Sequence, residues 1–356
     1  MRLLLSCILA LSAFAFAAPA ISINQAYLPD ADVIVTSNTN GVGRDSFLYQ
    51  LSKKLTTEFL AENDLDNAAI ANANDKLWDN SCTVVSLKIN SAKLSLDDFT
   101  PQDLEIVGVV TYNADCRPVL NQNMAVASAA LKKVMDADDK TTIAETTAEG
   151  LKGWDVVIED DGQKLSFLLL VAEDGKSLIG GTRDTVLRQL KATPAGVPKI
   201  AATPAGSNFN FVLPISAKIR AAFAENDSDE TMSSVVDVKQ LSRVLFSATV
   251  QPAGIDFTLA IDCTNAQYAS QMNAQISGLL PMAAMMADGN EDLAFLKKIS
   301  CVLNGSEVAV KCFISNEQIS KLIELGKDMG NDLDQSVEVI EEEIIPASPD
   351  AGNPAP

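Results

Sequence analysis

The chemistry open to this chain is bounded first by a missing residue: its 356 residues include no histidine. That removes Ser-His-Asp and Cys-His nucleophilic catalysis, imidazole metal sites and histidine pH switching. What remains is carboxylate, lysine or tyrosine chemistry, or binding without chemistry. Carboxylates are abundant, with 47 Asp and Glu against 27 Lys and Arg. Acidic groups gather at Asp64 and Asp66, at Asp136, Asp138 and Asp139, at Glu159, Asp160 and Asp161, and at Asp227, Asp229 and Glu230. None has the glycine at position six and the glutamate at position twelve of an EF-hand loop, so each reads as solvated loop charge. No two carboxylates are singled out as a hydrolytic pair. Neither a catalytic residue, nor a metal site, nor a cofactor is expected.

Two glycine motifs invite a nucleotide reading. Gly41-Val42-Gly43 lies between a strand and a helix, but position 46 is Ser and no parallel βαβ unit follows, so it reads as a plain turn. Gly180-Gly181-Thr182 reads as a strand end with Thr182 as the helix N-cap.

Six cysteines are present, and none is in a CxxC pair. Cys7 lies in an apolar leader, leaving Cys82, Cys116, Cys263, Cys301 and Cys312. An antiparallel hairpin centred near Phe99 would set Cys82 beside Cys116, so this pair is the expected disulfide. Two buried free thiols are the alternative. Cys263 could then meet Cys301 or Cys312.

Leu279, Leu280, Met282, Met285 and Met286 close a helix with apolar, partly flexible side chains. They are candidates for a groove that takes a lipid or another hydrophobic molecule, against the plainer reading of core filler. Asn226-Asp227-Ser228 and Asn304-Gly305-Ser306 match the glycosylation sequon, which matters only in a eukaryotic secretory pathway.

The elements that must carry these residues follow from period and punctuation. Met1-Arg2, an uncharged run from Leu3 to Ala18 and the small-x-small pattern Ala15-Phe16-Ala17 predict a signal peptide over residues 1–17. An exported, periplasmic or secreted protein is therefore expected. Only three apolar residues precede Cys7, which argues against a lipid anchor there. Loss of Arg2 leaves 26 basic against 47 acidic residues, a net charge of −21. Such a surface repels nucleic acid and anionic lipid. Aromatics make up 5% of the chain, poor stock for a carbohydrate platform. No later segment is long and apolar enough to predict a membrane span.

A linker is predicted at 193–206, where Thr-Pro-Ala-Gly occurs twice. On each side the same order is expected: strand, helix, hairpin, helix, hairpin, helix. The first unit spans 26–192. It has a strand at Asp32–Ser37, a helix at Asp45–Glu62, strands at Thr83–Leu94 and Leu104–Tyr112, and a helix at Pro118–Met135. Strands at Trp154–Glu159, Leu165–Ala172 and Leu178-Ile179 and a helix at Asp184–Lys191 complete it. The second unit spans 207–333. Its strands fall at Asn208–Leu213, Arg243–Val250, Ile255–Ile261, Ile299–Leu303 and Val308–Ile314. Its helices are expected at Pro214–Ala224, at Asn265–Met286 with a Thr264/Gln267 capping box, and from the Ser315/Gln318 box to about Met329. Pro281 should kink or shorten the middle one. Residues 334–356, acidic and then Pro/Ala-rich, read as a disordered tail. The fold class is α+β: two similar halves of mainly antiparallel sheet with helices packed on one face.

The stretch Leu28-Pro29-Asp30-Ala31-Asp32 running into a β segment, followed by duplicated strand-helix-hairpin units, resembles exported bacterial proteins of unknown function. The resemblance implies an α+β envelope protein and carries over no catalytic residue. The function expected is non-enzymatic binding or scaffolding of an envelope protein in the periplasm or cell envelope. The alternatives are a carrier of a lipid or other hydrophobic small molecule, and a histidine-free carboxylate hydrolase.

Overall fold

The computed structural model describes residues 21–39, 41–47, 49–50, 52–54, 57, 82–90, 103–115, 117–122, 124–125, 140–160, 163–225, 236–289 and 291–323. The expected leader, Cys7, Cys116, the acidic loops at 64–66, 136–139 and 227–230, and the tail lie outside them.

The fold is a mixed α+β arrangement built on one large antiparallel sheet of twelve strands. In chain order these are β1 (Val33–Asn38), β2 (Cys82–Ile89), β3 (Leu104–Thr111), β4 (Lys140–Ala148), β5 (Leu151–Asp160), β6 (Gln163–Val171), β7 (Ser177–Thr182), β8 (Phe209–Pro214), β9 (Leu241–Gln251), β10 (Gly254–Cys263), β11 (Ser300–Asn304) and β12 (Glu307–Ser315). Across the sheet they run β11-β12-β10-β9-β8-β1-β2-β3-β7-β6-β5-β4. The segments on either side of the 193–206 stretch share this sheet, because β1 pairs with β8, Ile34 facing Val212 and Val35 facing Phe211.

Tight turns set the hairpins. The β4–β5 turn is Glu149-Gly150, with φ of 51° and 80°. Two positive φ values are the type I′ geometry that matches strand twist. The β11–β12 turn is Gly305-Ser306, flanked by the facing pair Asn304 and Glu307, with Gly305 at φ 62°. Strand β4 escapes the sequence pattern because KTTIAETTA holds a single large apolar residue, Ile143, among threonine, alanine and charged residues.

Three helices have defined bounds: α1 (Arg183–Lys191), α2 (Ala217–Glu225) and α3 (Ala266–Met286). Residues 117–122, 124–125 and 316–323 are also helical. Pro214 ends β8 instead of opening α2; the Ser216 hydroxyl accepts from the Ile219 N–H at 3.2 Å and caps that helix. Asn265, not Thr264, caps α3 by accepting from the Tyr268 N–H. The helix runs on through Pro281 to Met286. The Ser315/Gln318 box forms as expected, with the Gln318 N–H on the Ser315 hydroxyl and the Ser315 N–H on the Gln318 side chain.

Helices pack on both faces of the sheet, which corrects the one-face expectation. Successive strand residues point to opposite faces. Val109 of β3 joins the core that holds Val186 of α1 and the 3-10 helix Ile23–Ala26. Its neighbour Val110 joins a different core, with Leu120 and Met124. On the Val110 face, the second segment carries α2 and α3: Ile219, Ala269 and Met272 pack with Val308 and the half-buried Val244 and Ile261. A buried link ties the segments together. Asp32 accepts from the Ile89 N–H at 2.8 Å and faces Lys218 of α2 at 3.5 Å. Lys218 also donates to the Ile89 carbonyl. The 193–206 stretch is held to β9 by Arg243, which donates to the carbonyls of Ile200 and Ala202 and pairs with Asp262.

Candidate functional site

The residues with an outstanding physical feature are the odd-numbered positions of β8 and their cross-strand partners. Register assigns every partner. Phe209 faces Ala248 and Phe211 faces Phe246 on β9. On β10, Leu259 faces Phe246 and Phe257 faces Ala248. On β12, Val310 faces Leu259 and Cys312 faces Phe257. Residues directly opposite share a face, so one face of four adjacent strands can be read off position by position.

That face is apolar throughout. On β8 it presents Phe209, Phe211 and Leu213. On β9 it presents Val244, Phe246, Ala248 and Val250. On β10 it presents Ile255, Phe257, Leu259 and Ile261, and on β12 Val308, Val310, Cys312 and Ile314. The other face of the same strands mixes in Asn210, Arg243, Ser247, Asp256, Thr258 and Lys311. The two faces therefore differ in kind, and the apolar one should be covered.

It is covered only in part. At one end α2 and α3 bury Val308 and shield Leu213, Val244 and Ile261. The 3-10 helix Glu291–Lys298 crosses β12, bringing the Phe295 carbonyl to 3.8 Å from the Cys312 sulfur. Between these covers lies a window. Phe209, Phe211 and Leu259 are 38%, 37% and 37% exposed. Their floor is ordered by aromatic contacts. Phe209 meets Phe246 edge-on at 6.4 Å, and Phe246 stacks on Phe257 at 5.6 Å. On its far side Phe211 faces Val35, which belongs to the neighbouring apolar cluster of Val85, Leu87, Leu104 and Ile106. The window is thus bordered by an apolar cluster beside Phe211 and by hydroxyl residues beside Phe209, which faces Ser37 of β1, itself opposite Thr83 of β2.

The sequence-predicted residues lie elsewhere. Leu279, Met282, Met285 and Met286 are 53–70% exposed at the C-terminal end of α3, with Leu280 half-buried. The helix is anchored near its start by the buried Ala269 and Met272; Leu279, two turns on from Met272 along the same stripe, is exposed towards the other end. Cys82 carries a free thiol, and its partner in the ladder is Thr111, five positions short of Cys116. The expected register was centred near Phe99; in the structure Ile89, five positions earlier than that register requires, faces Leu104. Cys263, Cys301 and Cys312 are free thiols too. Burial pushes the thiols of Cys82, Cys263 and Cys312 above their ordinary value, with Asp262 adding to the effect at Cys263 and Lys298 opposing it at Cys312.

Gly41 is at φ 79°, and Val42 is buried and donates to the Thr39 carbonyl, a turn. Gly180 and Gly181 are strand residues of β7; a Cβ on Gly181 would lie 2.0 Å from the Ile106 carbonyl oxygen. Thr182 occupies the N-cap position without capping. Its hydroxyl instead bonds Thr185 and the Ile106 backbone. Among the described residues, no group of three or more Cys, Asp or Glu could hold a metal ion. Also among them, no helix is long and apolar enough to cross a membrane.

The window was legible only as an alternation. Phe209-x-Phe211-x-Leu213, Val244-x-Phe246-x-Ala248 and Ile255-x-Phe257-x-Leu259 repeat with period two, but nothing local says which part of that face stays open.

No protein-family model matches the chain, and no curated protein matches it. In structure it is weakly similar to TP0453. Crystal forms III, I and IV of that protein give TM-scores of 0.41, 0.38 and 0.37 at 13%, 12% and 12% identity. The matches cover 85%, 85% and 88% of this chain and 97%, 96% and 98% of the other.

Proposed function

We propose that this chain is a non-enzymatic, exported binding protein of the periplasm or cell envelope that works through the apolar window on β8, β9 and β10. The observation that carries this is the exposure of Phe209, Phe211 and Leu259 on a sheet face with no polar side chain on any of four adjacent strands. A face of that composition loses free energy to water at about 25 cal/mol per Å² until something apolar covers it.

The composition also favours a small hydrophobic ligand over a protein partner. Protein interfaces carry about one hydrogen bond per 100–200 Å², and the side chains of the window on β8, β9 and β10 supply no donor or acceptor, with one hydroxyl, that of Ser37, on the strand beside Phe209. Three strands at about 4.8 Å spacing make a floor roughly 10 Å wide, enough to support part of an extended acyl chain lying across the rings. Titration with cis-parinaric acid tests this. Saturable fluorescence enhancement, displaced by unlabelled oleate, is expected; no saturable binding to the folded protein would overturn the reading.

The chain is also read as a duplicated unit. Outward from the β1–β8 pair, the order β1-β2-β3-β7-β6 parallels β8-β9-β10-β12-β11. The hairpin β4–β5 is then an addition to the first unit. Superposing the two five-strand sets tests it, and opposed strand directions after best fit would refute it.

A further inference from the structure

We infer that β11 and the end of α3 form a self-association surface whose occupant is a second copy of this chain. Among the described residues β11 ends the sheet, so one side of its backbone is unpaired. The strand reads Ser-Cys-Val-Leu-Asn, with no charge, and Val302 and Leu303 are 45% and 40% exposed. An open, uncharged edge of this kind is a template for another strand. The opposite edge differs: β4 carries Lys140 and Glu145, the charges that discourage pairing. Helix α3 packs against β11, and Cys301 lies 3.2 Å from Asn273 of that helix. Its 21 residues include no ionisable carboxylate, lysine or arginine, and its C-terminal end exposes Leu279, Met282, Met285 and Met286.

Charge selects the occupant. Two copies of a chain with net charge −20 repel one another over most of their surface. They can approach where charge is absent, and β11 with α3 is such a place. The edge is also self-complementary. Counting from the Asn304–Glu307 closing pair, ladder alternation turns the N–H and C=O of Cys301 and Leu303 outward and those of Val302 inward. An antiparallel copy centred on Val302 sets Cys301 opposite Leu303 of the second copy. Four backbone hydrogen bonds close about a two-fold axis, the isologous geometry of a closed dimer.

Sedimentation velocity on the purified protein should show a concentration-dependent dimer. Val302→Cys, which faces its own copy at the close, non-hydrogen-bonded position, should give an intermolecular disulfide on oxidation that the parent protein lacks. Leu303→Lys should yield monomer with an unchanged circular dichroism spectrum. A protein that is monomeric at every concentration overturns the inference. So does a dimer that Val302→Cys does not cross-link, an outcome independent of whether Leu303→Lys folds. So does a monomer that instead sediments with phosphatidylcholine vesicles and is released by Met285→Lys.

Discussion

Replacing Phe211 tests the apolar window most directly. The ring is 37% exposed, and an aromatic side chain offers roughly 200 Å², so about 75 Å² of it is left for a ligand to cover. At about 25 cal/mol per Å² that is about 1.9 kcal/mol, or roughly twentyfold in Kd. Phe211→Ala should therefore weaken cis-parinaric acid by about that factor. Phe211→Asp should weaken it further, because the ligand would have to desolvate a carboxylate. Neither should unfold the protein, since Phe211 stands at the opening and the ladder bonds of β8 to β1 and β9 are made by backbone. Fluorescence titration paired with a thermal melt separates the two effects. Unchanged affinity in a well-folded Phe211→Asp protein would refute the reasoning, because the probe would then be binding somewhere else.

Gly181→Ala should cost about 3 kcal/mol in a denaturant titration, since its Cβ would sit 2.0 Å from the Ile106 carbonyl oxygen and force β3 from β7; a loss under about 1 kcal/mol would show that the pair slides at little cost. Burial raises the Glu105 carboxyl, but the Asn90 amide and the Arg188 guanidinium outweigh it and hold the group below its ordinary value. The stability this gives is present above the unfolded value of about 4.3 and is lost as pH falls through the lower folded value. Glu105→Gln should flatten that acid limb by about 1 kcal/mol or less, and an acid limb identical to the parent's would remove Glu105 from the account. Cys82, Cys263 and Cys312, with thiols raised by burial, should react with iodoacetamide more slowly than an unfolded-chain thiol at about pH 8. Peptide mapping reads each site, and labelling of Cys82 at the free-thiol rate would contradict its burial.

Much of the local structure was legible because local structure is what short-range physics dictates. Alternating Val, Ile and Phe predicted eleven strands within a few residues, and β4 was missed because Ile143 is the one large apolar residue in its nine. Caps were legible as a type but not always as a position: Ser315 caps as expected, whereas Asn265 displaces Thr264 because the helix begins one residue later. The disulfide expectation finds no support: Cys82 is a free thiol facing Thr111, and Cys116 lies outside the described residues. Strands β2 and β3 bury residues on both faces, so their apolar pattern does not fix which residue faces Cys82.

By itself the sequence determined the absence of histidine chemistry, the surplus of acid and the strand phases that keep polar side chains off one face of β8, β9, β10 and β12. These follow from residue identity and a two-residue period. Only the tertiary structure decided that β1 pairs with β8, that helices lie on both faces and that the cover stops short of Phe209, Phe211 and Leu259. Those outcomes depend on contacts between residues from about ten to well over a hundred positions apart, where loop closure and total burial compete, and no local pattern encodes which competitor wins.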